Sequence, residues 1–405
     1  MLNGEEVAYP NVNYSRYKKI FSGKEYPLAF VDMDLLDDNI RQILNRSGKF
    51  PIRIASKSIR CTYLLNYILA FDPKFQGIMS FSGAEAVFLS KIGYDNILIA
   101  YPVINAEVIS DISLEIKNGK YINLMTDKLD HIRLINEVGE KNKVKIPISV
   151  DIDMSVDFPG LHFGVWRSSI RKPINLRTIL DEIKQMDFVS LEGVMGYEAQ
   201  IAGVTDKVKG KWMMNNLIRS LKKFSIKKIA SKRKRAVDMI RNMGFDLKIV
   251  NGGGTGSLES TIKEEVITEV TVGSGFFSSH LFDNYRKFRH QPAAGYACAI
   301  NRHPSKYIYT CMGGGYVASG STETLKQPLP FLPPGAVLLK NEGAGEVQTP
   351  ILYKGMELLN IGDPVFFRHS KAGELCERFN KLYLIRDNEI EMTVPTYRGE
   401  GQCFL

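Results

Sequence analysis

The segment IRIASKSIRC, from Ile52 to Cys61, carries a single lysine, Lys57, whose amine could do covalent chemistry. Alternating apolar residues predict a short strand that ends just before this lysine. A lysine amine in a partly apolar site loses its proton more readily and can form a Schiff base with a carbonyl compound. A lysine at a strand end is more often an ordinary solvated charge. The role of Lys57 therefore depends on what lies beside it.

Two glycine-containing segments further along the chain could bind an anion. The first, NGGGTGS, offers a backbone that can approach a phosphate closely and hydroxyl groups that can donate to it. These residues are Gly252, Gly253, Gly254, Thr255 and Ser257. The second, VGSGFF, adds Gly273 and Ser274 after the next predicted strand. The patterns GxxxxGK[ST] and GxGxxG with a strand-end acid are missing from the sequence, which argues against an ordinary nucleotide site.

Eight short segments rich in Ile and Val alternate with helical patterns from Pro51 to Gly273. They are PIRIAS, GIMSF, NILIAY, YINLM, IPISVDID, SLEGVMGYE, LKIVN and EVTVG. Regular alternation predicts parallel strands joined by helices, and eight units in roughly 250 residues favour a closed (β/α)8 TIM-type barrel. An open doubly wound sheet is the alternative. The helix after the sixth strand is expected to cover much of Lys211–Met243.

The pattern changes after about Tyr285, where Gly- and Pro-rich turns separate short predicted strands. We therefore expect a C-terminal all-β domain at residues 286–405, after a barrel at residues 26–285. Residues 1–25 are expected to form an N-terminal segment that packs on the β-domain. In the barrel, Lys57 after the first strand would lie beside the eighth strand, and phosphate commonly binds after strands seven and eight.

Composition narrows the class of protein. The net charge of +9 is spread along the chain. Its densest run, Lys222–Arg235, is interrupted by apolar residues and is interpreted as the solvated face of a helix, not as a nucleic-acid site. Five scattered cysteines without a CxxC pair indicate neither a disulfide framework nor a zinc ribbon. Neither a signal-peptide core nor an apolar run of about 20 residues is seen, so we expect a cytoplasmic protein that does not bind membranes.

A lysine beside a phosphate site is the combination that pyridoxal phosphate (PLP) requires. The same residues would also suit a lysine aldolase that acts on a phosphosugar.

Four segments resemble one known family, the fold-type III PLP enzymes with an alanine racemase-like barrel. They are YPLAFVDMDLLDDNI, IRIASKSIRC, SGAEAVFLSKIGYDNILIAYP and NGGGTGS. The resemblance is greater to the D-threonine aldolase and D-serine dehydratase branch, including its amino-acid deaminase/aldolase-like members. It implies that Lys57 carries PLP as a Schiff base and that Tyr197 contacts the cofactor ring. It also places the PLP phosphate at the residues Gly252, Gly253, Gly254, Thr255, Gly273 and Ser274.

Two positions depart from the pattern of that family. Where relatives have an arginine after the fifth strand that contacts the phenolic oxygen of the cofactor, this chain has FPGLHFGVW, and His162 is expected to take the place of the arginine. Relatives also bind a divalent metal through a histidine and a Cys or Asp two residues later. Here His369 is followed at that spacing by Lys371, which cannot bind a cation while protonated. This argues against a metal at His369 and leaves it as a neutral or acid/base histidine.

The resemblance implies a PLP-dependent lyase that acts on D- or β-hydroxy amino acids, by aldol cleavage or by dehydration and deamination. A PLP-dependent racemase of the same fold and a non-catalytic PLP-binding protein are the alternatives. Lys57 is the expected first base, and His369, Lys371 and Tyr197 are candidates for the second. The resemblance also implies a homodimer in which the β-domain of each subunit closes the active site of the other.

Overall fold

The computed structural model describes residues 9, 12–318 and 326–404. The chain forms two compact units, which we describe separately. The barrel unit comprises Ile43–Lys57, Leu65–Gly273 and Phe404–Leu405. The sheet unit comprises Met1–Gln42, Ser58–Leu64 and Ser274–Cys403. Of the predicted N-terminal segment 1–25, residues 1–8, 10 and 11 lie outside the described residues.

The first eleven strands, numbered in chain order, include the predicted barrel. They are β1 (Leu28–Asp32), β2 (Ile52–Ala55), β3 (Phe75–Ser80), β4 (Ile97–Ile99), β5 (Ile122–Thr126), β6 (Ile146–Asp151), β7 (Val156–Phe158), β8 (Leu161–Phe163), β9 (Val189–Met195), β10 (Ile249–Gly252) and β11 (Glu269–Val272). Eight of them close in the order β10-β11-β2-β3-β4-β5-β6-β9. These eight match the predicted strands one for one, and the first predicted strand pairs in parallel with the eighth. The closed (β/α)8 barrel is confirmed.

Ten helices accompany these strands. They are α1 (Tyr14–Ile20), α2 (Met33–Ser47), α3 (Thr62–Phe71), α4 (Gly83–Lys91), α5 (Ala106–Lys117), α6 (Leu129–Asn142), α7 (Pro173–Ile183), α8 (Ala199–Ala202), α9 (Trp212–Asn242) and α10 (Leu258–Thr261). The long α9 matches the predicted helix. At the start of α4 the Ser82 side chain accepts a hydrogen bond from the Glu85 amide at 3.2 Å. The Glu85 carboxylate accepts from the amide of Phe81, one residue earlier than a capping box requires.

The remaining strands belong to the sheet unit, and all of them lie within residues 286–405, where an all-β domain is predicted. They are β12 (Ala294–Ser305), β13 (Ile308–Met312), β14 (Leu329–Leu332), β15 (Val337–Leu338), β16 (Gln348–Leu352), β17 (Pro364–Arg368), β18 (Lys381–Arg386) and β19 (Glu389–Pro395). Together with β1 they form a nine-stranded sheet with the order β15-β16-β13-β12-β1-β18-β19, and β17 pairs with β12 and β14.

One strand lies outside the unit in which the sequence prediction placed it. β1 falls within residues 26–285, which were assigned to the barrel, but it pairs antiparallel with β12 and parallel with β18. All five of its residues are buried. The apolar pattern of β1 identified a buried strand correctly, but such a pattern does not specify which partners the strand takes.

The sheet unit has an aromatic core to which the N-terminal helix contributes. Tyr17 and Phe21 of α1 and Phe30 of β1 are buried, and the rings of Tyr17 and Phe30 have centroids 5.2 Å apart. Phe366 of β17 contacts all three rings at centroid distances of 5.6 to 6.1 Å. The described part of the N-terminal segment thus packs within the sheet unit. Aromatic pairs at such distances add to the stability gained from burial alone.

The barrel interior combines apolar packing with one buried ion pair. A cluster of buried side chains comes from five different barrel strands and includes Met79, Met125 and Met195. The Arg53 guanidinium on β2 is 1% exposed and donates to both carboxylate oxygens of Glu269 on β11, at 2.7 and 2.8 Å. It also donates to the carbonyl oxygen of Asn96 at 2.6 Å. A charge buried this deeply depends on its partner.

Among the described residues, none of the helices combines the length and apolar character needed to cross a membrane.

The Arg53–Glu269 pair gives the first prediction. Replacing Arg53 with Leu should reduce the free energy of unfolding by about 3–5 kcal/mol, because Glu269 stays buried without its cation. Urea unfolding followed by circular dichroism measures this change. Arg133→Leu is the matched control, since Arg133 and Glu182 are 52% and 45% exposed and such a pair is worth less than about 1 kcal/mol. Equal losses in the two variants would contradict the assignment.

Candidate active site

The predicted site residues of the barrel unit lie at the carboxyl ends of its strands. Lys57 lies in a single 3-10 turn, Ser56–Ser58, directly after β2, and its side chain is exposed. Tyr197 follows β9 by two residues, Gly252 ends β10, and Gly273 follows β11. Because parallel barrel strands all end at the same rim, these residues meet there. Ser274 is the first residue of the segment Ser274–Cys403 and therefore belongs to the sheet unit.

The loop after β10 has the properties of a phosphate cradle. Gly253 has a φ of +93°, a conformation that other residues rarely adopt. A Cβ atom on Gly254 would lie 2.8 Å from the Cβ of Ala202 and 3.3 Å from Cε2 of Tyr197, so only glycine fits against this ring. Among the described residues, the amides of Gly253 and Gly254 donate no hydrogen bond. These two amides are available to an anion.

The buried Arg233 guanidinium supports the segment after these glycines through a hydrogen-bond network. Arg233 of α9 is fully buried and donates to the carbonyl oxygen of Gly196 at 2.8 Å and to the Glu198 carboxylate at 3.0 Å. Glu264 forms a second ion pair with it. Glu198 in turn accepts hydrogen bonds from the hydroxyls of two residues that follow the glycines, Ser257 and Thr261.

This network corrects the interpretation of the basic run Lys222–Arg235. The run was interpreted as a solvated helix face, but Arg233 is fully buried and Lys222 is 7% exposed. Lys222 pairs with Asp206 at 3.2 Å. Each buried cation reaches an acid that lies more than fifteen residues away in the chain, so its partner cannot be recognised from the run itself.

The observed contacts of His162 are with Asp157 and Trp166, and its contact with the cofactor stays a prediction. His162 lies on β8, where its Nδ1 is 2.7 Å from the Asp157 carboxylate and its ring stacks on Trp166 at 3.9 Å. A second cationic side chain at this rim, besides Lys57, is that of Arg167, which the sequence did not identify. Its guanidinium lies 4.7 Å from the centre of the Tyr101 ring and 5.9 Å from that of Tyr197.

Asp151 and Ala100 fix the position of Arg167. Its Nε donates to the Asp151 carboxylate at 2.5 Å, and its Nη2 donates to the carbonyl oxygen of Ala100 at 2.6 Å. Burial raises the pKa of Asp151 to about 6 although the Arg167 cation lowers it, and the nearby Asp127 and Asp153 raise it further. Asp151 is the last residue of β6. A hairpin of β7 and β8 separates Asp151 from Arg167 in the chain, so the sequence does not show that the two residues pair.

Tyr101 is a second residue that the sequence analysis missed. It follows β4 by two residues, the same strand-end position that identified Lys57, and this position could have revealed it. Burial alone would raise the pKa of Tyr101, but the charges of Lys57 and Arg167 and their hydrogen bonds to it outweigh that effect and lower the pKa. The Lys57 amine lies 5.9 Å from the centre of its ring. Tyr197 shows the opposite behaviour, since burial, followed by the Glu198 charge, raises its pKa to about 12.

The remaining predicted residues lie in the sheet unit. His369 is 3% exposed, and neither of its ring nitrogens has a hydrogen-bond partner in the part of the chain that the structure describes. Burial, followed by the Arg368 and His280 charges, lowers the pKa of His369 to about 3, so the ring is neutral near pH 7. Lys371 lies two residues further on and is partly exposed.

Metal and disulfide chemistry can be tested against the described side chains. No group of three or more His, Cys, Asp or Glu residues among the described residues is arranged to hold a metal ion. All five cysteines are free, four of them buried and Cys403 exposed. Burial raises the pKa of Cys61 and Cys311 to about 12, so these two thiols are not activated nucleophiles.

Comparison with known proteins is informative at the level of structure. No family model and no curated protein matches the sequence. D-threonine aldolase from Filomicrobium marinum has a similar structure, with a TM-score of 0.78 and 16% identity over 93% of this chain and 95% of that chain. D-threo-3-hydroxyaspartate dehydratase from Delftia sp. HT23 gives 0.71 and 15% over 92% and 98%. Alanine racemase from Clostridium difficile 630 gives 0.64 and 15% over 92% and 99%.

The chain has the fold of these enzymes. The predicted fold class, a (β/α)8 barrel followed by an all-β domain, is thereby confirmed on both the topology and the structural comparison.

The ion pair between Asp151 and Arg167 gives the second prediction. Arg167→Met should raise the pKa of Asp151 above about 6, because the Arg167 cation favours the carboxylate form and its loss leaves only burial and the neighbouring acids. Carbon-13 NMR of the side-chain carboxyl in ligand-free protein measures this pKa, with the signal assigned through Asp151→Asn. His162→Gln is the control and should leave the Asp151 titration in place. A larger shift of the Asp151 pKa in His162→Gln than in Arg167→Met would contradict the assignment of Arg167 as the cation that stabilises the Asp151 carboxylate.

Proposed function

We propose that the protein is a PLP-dependent enzyme that acts on an amino acid and that Lys57 holds the cofactor through a Schiff base. One observation carries the proposal. An exposed lysine, an arginine fixed by an ion pair, and a glycine loop with two amides that donate no hydrogen bond among the described residues all lie at one barrel rim. The fold shared with an aldolase, a dehydratase and a racemase supports the same class of chemistry.

The residues present fit this cofactor. The cradle at Gly253 and Gly254 offers amides to its phosphate, and the Tyr197 ring packs on Gly254 where a cofactor ring could lie against it. Arg167 offers a permanent cation to the phenolic oxygen, which a neutral histidine would stabilise less. Thr255, Gly273 and Ser274 stay predicted phosphate contacts. Bound PLP would supply an electron-withdrawing ring that weakens the bonds at the α-carbon of the amino acid.

Two side chains of this rim are suited to proton transfer. Lys57 could take or return the proton at the α-carbon of the amino acid. Tyr101 is the second candidate, because its lowered pKa brings its hydroxyl nearer to neutral pH than an ordinary tyrosine. His369, Lys371 and Tyr197 stay the candidates that the sequence provided. We place Tyr101 before Tyr197, whose raised pKa disfavours ionisation.

The specific reaction that we propose is that of a lyase. The substrate would be a D- or β-hydroxy amino acid, cleaved between its α- and β-carbons or dehydrated and deaminated. The names of two structural neighbours, D-threonine aldolase and D-threo-3-hydroxyaspartate dehydratase, favour this assignment. Racemisation is the second candidate, favoured by the similarity to alanine racemase and by the presence of two proton-transfer groups, Lys57 and Tyr101. The homodimer and the cytoplasmic location stay predictions from the sequence, which argues against a metal at His369 because Lys371 stands at the partner position.

The third prediction concerns the lysine that binds the cofactor. Incubation with PLP, reduction with borohydride and peptide mapping should give a pyridoxyl adduct on Lys57. Lys57→Ala should lose both this adduct and the visible absorbance of the Schiff base. Lys248→Ala should keep both, because Lys248 is an exposed barrel lysine paired with Glu192 at 2.9 Å. A stoichiometric adduct on another lysine, with none on Lys57, would refute the proposal.

The fourth prediction concerns Tyr101 and the reaction. Tyr101→Phe should lower kcat by about 10²–10⁴-fold, the range for loss of a general acid or base, and should remove one ionisation from the pH profile of kcat/KM while PLP stays bound. The control is Tyr121→Phe, because the Tyr121 hydroxyl bonds to Glu192 at 2.9 Å and Tyr121 precedes β5, at the strand end away from the rim.

A product screen over D- and L-amino acids, with and without a chelator, separates the candidate functions. A lyase releases an aldehyde or an oxo acid, whereas a racemase yields only the opposite enantiomer. Turnover of none of the amino acids despite full formation of the Schiff base would favour a non-catalytic PLP-binding protein. Unchanged kcat and pH profile in Tyr101→Phe would exclude this tyrosine as the proton-transfer group.

A further inference from the structure

A cleft on the barrel unit lies apart from the residues assigned to the cofactor. It has a volume of about 340 Å³ and is formed by the segment Met154–Asp157 on one side and by helix α9 on the other. The Phe158 and Phe224 rings pack beside it, with centroids 5.3 Å apart. Its volume falls in the range of sites that hold small molecules.

Three cations from successive turns of α9 line this cleft. They are Lys228, Lys232 and Arg235. Residues spaced by three and four positions lie on the same face of a helix. Among the described residues, none of the three forms an ion pair with a carboxylate. Lys228 lies 4.7 Å from the centre of the Phe224 ring, and Arg235 donates to the Ser231 hydroxyl at 3.1 Å.

The single acid of the lining does not balance these charges. Asp157 already pairs with Arg171 at 2.7 Å and lies 2.7 Å from Nδ1 of His162. The cleft therefore carries an excess of positive charge. Burial, together with Arg171 and Arg235, outweighs the attraction of Asp153 and Asp157 and lowers the pKa of Lys232. The attraction of these two carboxylates does not compensate for the burial of the Lys232 amine.

We propose that this cleft is a second anion site, which binds the phosphate group of a small phosphate ester. A phosphate monoester carries nearly two negative charges and three acceptor oxygens, which suits three convergent cations better than a single carboxylate does. The Ser155 and Ser231 hydroxyls in the lining are additional donors. The site does not depend on the proposed PLP chemistry, since it shares none of its residues with the glycine loop.

The test uses inorganic phosphate and the full chain with PLP reduced onto its lysine, so that the glycine loop is already filled. Isothermal titration calorimetry should show one saturable phosphate per chain. Lys232→Met and Arg235→Met should each weaken binding at least tenfold. Lys234→Met is the control and should stay within twofold of the parent, because Lys234 is exposed and pairs with Asp238 at 2.9 Å. Succinate at equal concentration should fail to displace the phosphate.

A second measurement keeps the inference independent of the cofactor. Reductive methylation with carbon-13 formaldehyde places an NMR signal on each lysine amine, and the Lys232 signal, assigned through Lys232→Arg, should shift as phosphate is added. The result would hold even if the protein did not bind PLP. Absence of saturable binding, equal affinity in Lys232→Met and Lys234→Met, or displacement by succinate would overturn the proposal.

Discussion

The rest of the rim depends on the ion pairs and hydrogen bonds that the Arg233 guanidinium forms. It is fully buried, and a charge in that position is tolerated only where its partners are well placed. Glu198 and Glu264 provide two carboxylates, and the Gly196 carbonyl accepts a further hydrogen bond. Glu198 follows Tyr197 in the chain and also binds the Ser257 and Thr261 hydroxyls. One cation therefore fixes both the tyrosine after the sixth barrel strand and the segment after the seventh.

A glycine loop needs such support in order to bind an anion. Glycine loses more conformational freedom on ordering than any other residue, so a run of three would not hold its amides in one direction without external contacts. The Arg233 network supplies contacts on one side of the loop. Arg46 supplies another, since it donates to the Thr255 carbonyl oxygen at 2.6 Å and pairs with Glu259 at 2.6 Å. Donors that are held before the ligand arrives require no reorganisation when it binds.

The features that the sequence predicted correctly depend on local periodicity. All eight barrel strands and the long helix α9 follow from apolar patterns, and the same patterns predicted that Lys57 and the glycine loop lie directly after barrel strands. The missed features depend on long-range pairing. Arg233 was hidden within a basic run because its partners Glu198 and Glu264 are 35 and 31 residues away. Likewise, β1 appears as a buried strand in the sequence, but its place beside β12 and β18 is set by segments more than 250 residues distant.

The proposed role of Arg167 at the rim also depends on a contact that the sequence does not reveal. The family pattern places His162 where relatives have an arginine. In the structure His162 lies on the hairpin β7–β8 and pairs with Asp157, whereas Arg167 follows the hairpin. Arg167 lies at the rim because it donates a hydrogen bond to the Asp151 carboxylate there. Counting along the chain cannot reveal this, because the hairpin changes the relation between sequence distance and position in space.

Two tyrosines at the same rim, Tyr197 and Tyr101, have pKa values that are shifted in opposite directions. Tyr197 packs on the glycine loop next to Glu198, and burial with that negative charge raises its pKa to about 12. Tyr101 lies between two cations, Lys57 and Arg167, which lower its pKa against the effect of burial. Where the surroundings shift two like groups in opposite directions, the group that ionises more easily is the one suited to proton transfer. These charges support the proposed roles of Tyr197 as a ring that positions the cofactor and of Tyr101 as the hydroxyl that exchanges a proton.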